Sequence, residues 1–167
     1  SISDPAAAAR YGIEPADWLD LSTGINPAGW PAPPVPAAVW QRLPEAEDGL
    51  VQAAAAYYGC SEVLPVAGSQ AAIQTLPRLR AASRVGVPHP AYAEHAHAWR
   101  AAGHAVLAWD AAMGVEALDV LVLVHPNNPG GQTYAAAELL DWLLRLAARG
   151  CGLAVAEGFM DVAHADS

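Results

Sequence analysis

The sequence predicts an α/β domain, a mostly parallel sheet flanked by helices, preceded by an irregular N-terminal arm rich in proline and tryptophan. Three observations predict it. From residue 48 onward, short apolar runs alternate with helix-like segments, the pattern of parallel strands joined by crossover helices. The run DVLVLV at 119–124 is apolar without alternation, as a strand covered on both faces must be. The first stretch instead carries Pro31, Pro33, Pro34 and Pro36 between Trp30 and Trp40, a density that neither a helix nor a central strand tolerates. The expected organisation is an arm and turn over residues 1–44 and an α/β domain over 45–167.

The elements follow in order. Asp4 can cap a short helix over Asp4–Tyr11, with Pro5 at its first position. Residues 18–27, WLDLSTGINP, read as a short strand running into a turn. The proline cluster reads as an ordered extended arm, with Trp30 and Trp40 expected to be buried. A helix over 48–58 ends at Gly59, a glycine suited to the left-handed residue after a helix. The segment 64–67 is short and apolar. Gly68 and Ser69 then open a helix up to about Leu76, where Pro77 disturbs it. Strands are expected at 84–87, 104–108, 119–124 and 153–156. Helices are expected at 92–102, stopped by Gly103, and at 135–149, ended by Gly150. In the last helix, Leu139, Leu143 and Leu146 lie at helical spacing and are expected to pack into the core. There is no internal repeat. The chain stops soon after its last strand with no closing helix, so it reads as C-terminally truncated.

Composition limits the chemistry. Hydrophobic residues are 54% of the chain, but 39 of them are alanines. The net charge is −9 and all eight cations are arginines, which argues against nucleic-acid or anionic-membrane partners. Cys60 and Cys151 form neither a disulfide framework nor a zinc spacing and are expected as small buried hydrophobes. No charged-then-apolar leader is visible, and the apolar runs are too short to span a bilayer. A soluble, cytoplasmic protein is the expectation. His95 and His97, at i and i+2 on a helix beside Glu94, point to different faces, so they read as solvated surface and no metal site is expected. No G-x-G-x-x-G or G-x-S-x-G occurs, so neither a dinucleotide fold nor a serine hydrolase elbow is supported.

Three segments can carry chemistry. In Ala67-Gly68-Ser69-Gln70 a glycine and a hydroxyl open a helix, where free N–H groups and the positive end of the dipole make an anion site. Alone, the motif also reads as an ordinary N-cap. In His125-Pro126-Asn127-Asn128-Pro129-Gly130-Gly131, directly after a strand, an Asn amide is held at the sheet edge where open α/β sheets bind ligands. Asn, Pro and Gly are equally the residues of a plain turn. In Pro88-His89-Pro90-Ala91-Tyr92, Tyr92 can lay its ring on a flat ligand or simply pack at a helix start.

Taken together, AGSQAA, P-x-P-A-Y-A-E-H, V-x-P-N-N-P-x-G and AEGFMD, in this order and spacing, resemble class I/II aminotransferases. The early segment LDLSTGINPAGWP is similar to the cobalamin-pathway branch, threonine-phosphate decarboxylase and its histidinol-phosphate aminotransferase-like relatives. The likeness runs from about Tyr11 to about Asp161. It implies the large domain of fold type I, incomplete, with pyridoxal 5′-phosphate as cofactor. Gly68, Ser69 and Gln70 would hold its phosphate, Tyr92 would stack on its ring and Asn128 would bond its phenolic oxygen. Gly24 and Asn26 would approach the substrate. The implied reaction removes CO2 from L-threonine O-3-phosphate, or transaminates a related phosphorylated amino acid. The implied assembly is a homodimer.

The chain departs from that family in three ways. It contains no lysine, the residue to which the family links its cofactor, and no arginine matched to the one that grips the substrate carboxylate near the family's C-terminus. No catalytic residue is therefore assigned, and the chain as it stands reads as an inactive part of an enzyme. The aspartate that opens the family's D-E-x-F segment is Ala156 here, followed by Glu157. Asn-Pro-Thr-Gly becomes Asn128-Pro129-Gly130-Gly131. The alternative reading is a non-catalytic, degenerate domain that keeps the fold and a phosphate-binding helix N-terminus.

Overall fold

The computed structural model of the chain describes residues 4–14, 17, 18, 29, 31–43, 45 and 47–160. The chain divides into two compact units, Ser1–Asp48 and Gly49–Ser167.

In the first unit, helix α1 (Asp4–Tyr11) has the expected bounds. Gly12, at φ +67°, ends it, and its N–H reaches Ala8 O at 2.8 Å. Trp18, the first residue of the predicted strand, is irregular; its Nε1 donates to Ile13 O at 3.2 Å. The rest of that strand and turn, with Gly24 and Asn26, and also Trp30, lie outside the described residues. Residues 31–36 form no regular element and lead into a 3-10 turn, Ala37–Gln41, with no buried residue. Trp40 is 77% exposed, against the expected burial, because a five-residue turn behind prolines has no apolar stripe to turn inward.

The second unit is the predicted α/β domain. Its elements are α2 (Leu50–Tyr58), α3 (Ser69–Thr75), β1 (Arg84–Pro88), α4 (Ala93–Ala101), β2 (Ala105–Trp109), β3 (Val120–Val124), α5 (Ala136–Ala147) and β4 (Gly152–Ala156). The strands pair in the order β2-β1-β3-β4, all parallel. Expected element ends move by at most two residues. α2 begins at Leu50, two residues later than expected, because Gly49 turns left-handed at φ 87° and breaks the helical path there. Gly59 closes the helix in the left-handed region, as expected.

β3 decides the packing. Every one of its residues is buried. Successive side chains of a strand point to opposite faces, and β3 feeds two cores in this way. Leu121 and Leu123 join Trp109, Val115, Leu118, Trp142 and Leu146 on one face. Val120 and Val122 join Val85, Val87 and Trp99 on the other. α5 covers the first face with Trp142 and Leu146. It starts where the Glu138 carboxylate accepts from Ala135 N–H at 2.8 Å, and Leu139 packs partly against the same core. Leu143 stays 41% exposed, contrary to the expected stripe, because Trp142 takes the inward position beside it. Cys60 is exposed, since it follows Gly59 out of α2, which buries nothing, while Cys151 is half-buried. No helix among the described residues is long and apolar enough to cross a membrane.

Leu121 is fully buried at the centre of the sheet. Leu121→Ala should destabilise the domain by about 2–5 kcal/mol through lost transfer energy and a residual cavity. Urea unfolding of the full-length protein checks this, and a midpoint unchanged from wild type would contradict the two-faced core.

Candidate functional site at the carboxyl edge of the sheet

The strand order makes the site. The chain runs from β1 outward to β2, then returns to the other side of β1 as β3. Between β1 and β3 the direction of winding reverses, and at such a switch point the two following loops diverge and leave a crevice. The β1 loop carries residues 89–92, including Tyr92. The β3 loop carries 125–131, including Asn128.

Asn127 ties these loops together. It is 4% exposed. Its Nδ2 donates to Pro90 O at 2.9 Å and to Gln132 Oε1 at 3.3 Å. Its Oδ1 is buried and has no partner among the described residues. The turn is closed by Asn127 N–H to Gln132 O at 2.8 Å and Gly131 N–H to Asn127 O at 2.6 Å. A Cβ on Gly130 would lie 3.1 Å from Asn127 Nδ2, and Gly131 sits at φ +69°. The glycine pair in place of the family's Thr-Gly is thus what this tight turn accommodates. Asn128, half-buried, follows the buried amide. His125 braces the base of the loop. Its N–H bonds Ala156 O at 2.8 Å, its Nδ1 accepts from Tyr134 N–H at 3.2 Å, and its ring stacks on Tyr134 at 5.9 Å.

α3 provides the anion-ready end. Gly68, at φ 77°, is its N-cap, a conformation that glycine adopts without strain. Ser69 is the first helical residue rather than the cap. The first N–H groups of a helix have no intrahelical acceptor, and the Ser69 hydroxyl makes no hydrogen bond among the described residues. The Gln70 side chain is engaged elsewhere, donating to Glu94 Oε2 of α4 at 3.1 Å. Tyr92 is the N-cap of α4 and 42% exposed, free to present its ring.

A cavity of about 170 Å³ joins several of these parts. Ser69 and Ile73 of α3, His95 and Trp99 of α4, Val122 of β3 and Ala156 of β4 line it. Ala156 is the last residue of β4, paired with Val124. Glu157 lies beyond the strand and is exposed, and Asp161 is outside the described residues. His95 corrects the expectation of a solvated surface: it is 7% exposed. The readable signal was its position four residues before Trp99, which puts both on one helix face; His97 is exposed. Burial holds the His95 imidazole below its ordinary value of 6.5, because the cation loses its hydration there. The structure thus gathers Ser69, His95 and Ala156 around one cavity, and links the Tyr92 and Asn128 loops through Asn127.

The family model for aminotransferase class I and II matches residues 16–166. A threonine-phosphate decarboxylase of Pseudomonas aeruginosa is 57% identical over 158 residues, which is 93% of this chain and 48% of that protein. Another of that name, from a Sinorhizobium species, is 47% identical over 165 residues, 93% of this chain and 49% of that protein. The chain therefore spans about half the length of the curated relatives it matches. Among solved structures, L-threonine-O-3-phosphate decarboxylase from Porphyromonas gingivalis has a TM-score of 0.59 at 23% identity, over 69% of this chain and 39% of that one. Histidinol-phosphate aminotransferase from Clostridium acetobutylicum has a TM-score of 0.55 at 17% identity, over 66% and 36%. At these identities the structural likeness is one of fold.

The buried His95 generates a pH prediction. Its folded value lies below its unfolded value of 6.5, so the unfolded chain takes up this proton first as pH falls. The stability that depends on a neutral His95 is present above 6.5 and is lost as pH drops from there toward the folded value. His95→Phe should flatten the fall in stability as pH drops below 6.5. Denaturant titrations across that range check it, and parallel curves for the two proteins would refute the assignment.

Proposed function

This chain belongs to the aminotransferase class I and II family, and from that premise we propose that it is the cofactor-binding half of a pyridoxal phosphate-dependent threonine-phosphate decarboxylase. The observation that carries the reading is the 57% identity to the Pseudomonas aeruginosa enzyme, spread over 93% of this chain. Cobalamin synthesis is the pathway that goes with it.

The residues suit the cofactor at its phosphate end and on its ring face. The N–H groups of Ser69 and Gln70 and the Ser69 hydroxyl are donors fit for a phosphate, while Gly68, whose own N–H donates to Val66 O at 2.7 Å, is proposed to let the phosphate approach the backbone closely. For Gln70 the donor is the backbone, since its side chain serves Glu94. Tyr92 offers an exposed ring to lie on the pyridine, and Asn128 an amide to bond its phenolic oxygen. Gly24 and Asn26 are proposed for the substrate side.

When bound, pyridoxal phosphate supplies an electron sink for the charge left at Cα as the carboxyl group departs. The chain's residues bind and orient. Ser69 anchors one end, Tyr92 fixes the plane, and the Asn127 bridge to Pro90 O keeps the two loops at a constant spacing. The apolar cavity wall excludes water from the ring face. None of the 167 residues is a lysine, so the amine that this chemistry requires comes from outside this segment. A homodimer is the proposed assembly of the whole protein, with a phosphorylated amino acid as substrate.

One observation favours a second reading, a domain that keeps the fold and the anion-binding helix without catalysis: Ala156 gives the ring nitrogen no carboxylate. The two readings part in one assay. The full-length protein, loaded with pyridoxal phosphate, should release CO2 from L-threonine O-3-phosphate. A loaded protein that releases none supports the second. Ser69→Ala should raise the dissociation constant for pyridoxal phosphate by about tenfold, the scale of one charge-assisted hydrogen bond. Fluorescence titration measures it, and an unchanged constant would remove Ser69 from the phosphate site.

A further inference from the structure

We propose that His95 is the positioning partner of the ring edge in the cavity it shares with Ala156, donating a hydrogen bond from a neutral imidazole to the cofactor's ring nitrogen. The inference rests on the cofactor reading above and deepens it.

The cavity has a direction. Ser69, at the start of α3, lines it at the end suited to an anion, and the rest of its wall is apolar apart from the His95 imidazole and the indole N–H of Trp99. An organic phosphate anchored at Ser69, with its ring on Tyr92, would turn one ring edge toward the wall that His95 and Ala156 share. Besides Ser69, the side-chain donors on that wall are the His95 imidazole and the Trp99 indole N–H; His95 is the one whose ring meets Tyr92, the residue given to the ring face.

His95 is built as such a donor. It is nine-tenths buried, and its ring nitrogens make no hydrogen bond among the described residues. The ring is buried but its nitrogens are not sealed, since the one sealed and unpartnered side-chain polar atom among the described residues is Asn127 Oδ1; the His95 nitrogens stay open to a ligand group that enters the cavity. Its backbone is fixed by its N–H to Tyr92 O at 3.4 Å, and its ring lies edge-on to Tyr92 at 6.2 Å. A residue clamped in this way can orient a ligand rather than swing to it.

Its charge state is set by what surrounds it. α3, β3 and β4 bring no titratable side chain to the cavity wall. On α4 itself, Glu94 is bonded to Gln70, His97 is exposed on another face, and Arg100 lines a separate pocket beside β2. His104, from the turn before β2, packs on Trp99 at 4.7 Å, but both of its nitrogens are taken, by Ser83 N–H at 3.1 Å and Pro77 O at 2.8 Å. Tyr92 is the remaining neighbour. Among the described residues no anion supports an imidazolium, and burial disfavours it. Ala156 adds a methyl group and no charge. A carboxylate at that wall would hold a proton on a ring nitrogen; a neutral imidazole donates a hydrogen bond and leaves the nitrogen unprotonated.

The test compares two phosphate esters on the full-length apo-protein labelled with 15N. Pyridoxine 5′-phosphate carries a ring nitrogen and no aldehyde; benzyl phosphate carries the ring and phosphate without the nitrogen. Both should shift the Ser69 amide. Pyridoxine 5′-phosphate alone should shift the His95 ring 15N signals. His95→Phe should weaken pyridoxine 5′-phosphate by about tenfold and leave benzyl phosphate unchanged, and His95→Asn, which keeps a donor, should recover part of the loss. If His95→Phe does not fold, His95→Asn carries the same comparison, with the weakening again confined to pyridoxine 5′-phosphate. A Ser69 shift with His95 unmoved, or a variant that weakens both esters equally, overturns the inference while leaving the cofactor reading intact. Neither residue responding to pyridoxine 5′-phosphate overturns both.

Discussion

The complete burial of β3 is the constraint on which the rest of this domain depends. A strand of five apolar residues, Val120–Val124, has to be covered on both faces, because each face exposes side chains that water disfavours. α5 covers one face through Trp142 and Leu146. Trp99 of α4 serves the other, against Val120 and Val122. With β3 held on both sides, its carboxyl end becomes a rigid platform. The strand order around it sets the winding reversal between β1 and β3, and hence the place where a crevice opens.

Polar struts convert that platform into a site. Backbone leaving a buried strand needs hydrogen-bond partners, and here side chains supply several of them. Asn127 spans from the β3 loop to Pro90 O. His125 accepts from Tyr134 N–H while its own N–H meets Ala156 O. Arg149 performs the same service at the other end of α5, donating to Val115 O at 2.8 Å, Glu116 O at 2.7 Å and Leu118 O at 3.1 Å. Arg149 lies outside the chemical motifs, and His125 and Asn127 act within one of them as braces; the Asn127 bond holds the spacing on which Tyr92 and Asn128 depend. The unpaired Oδ1 of Asn127 marks where this bracing is one bond short among the described residues.

Much of the domain was legible in the sequence. The uninterrupted run at β3, the glycines after α2, α4 and α5, and the glycine-serine pair at α3 encode local conformation, and local conformation governs where those elements lie. Element ends moved where a single residue overrode the trend, as Gly49 did at the start of α2. Burial was less legible. Trp40, Leu143 and Cys60 are apolar and were expected inside, but among the described residues each stays exposed on its own element. His95 is polar and was expected outside, yet its neighbour Trp99 carries it inward. Hydrophobicity states what a side chain prefers, and a fold with finite cover meets only some of those preferences.

The sequence by itself determined the α/β class, the alternation of elements, the residues at the anion-ready start of α3, and the absence of lysine, together with the motifs shared with a family. Only the tertiary structure decided which of these meet. Ser69, His95 and Ala156 are far apart in the chain and border one cavity, and Asn127 bonds a carbonyl 37 positions away. Periodicity fixes the face a side chain occupies on its own element. Which faces meet depends on strand order and on which helix covers which side, and these follow from how the whole chain buries β3.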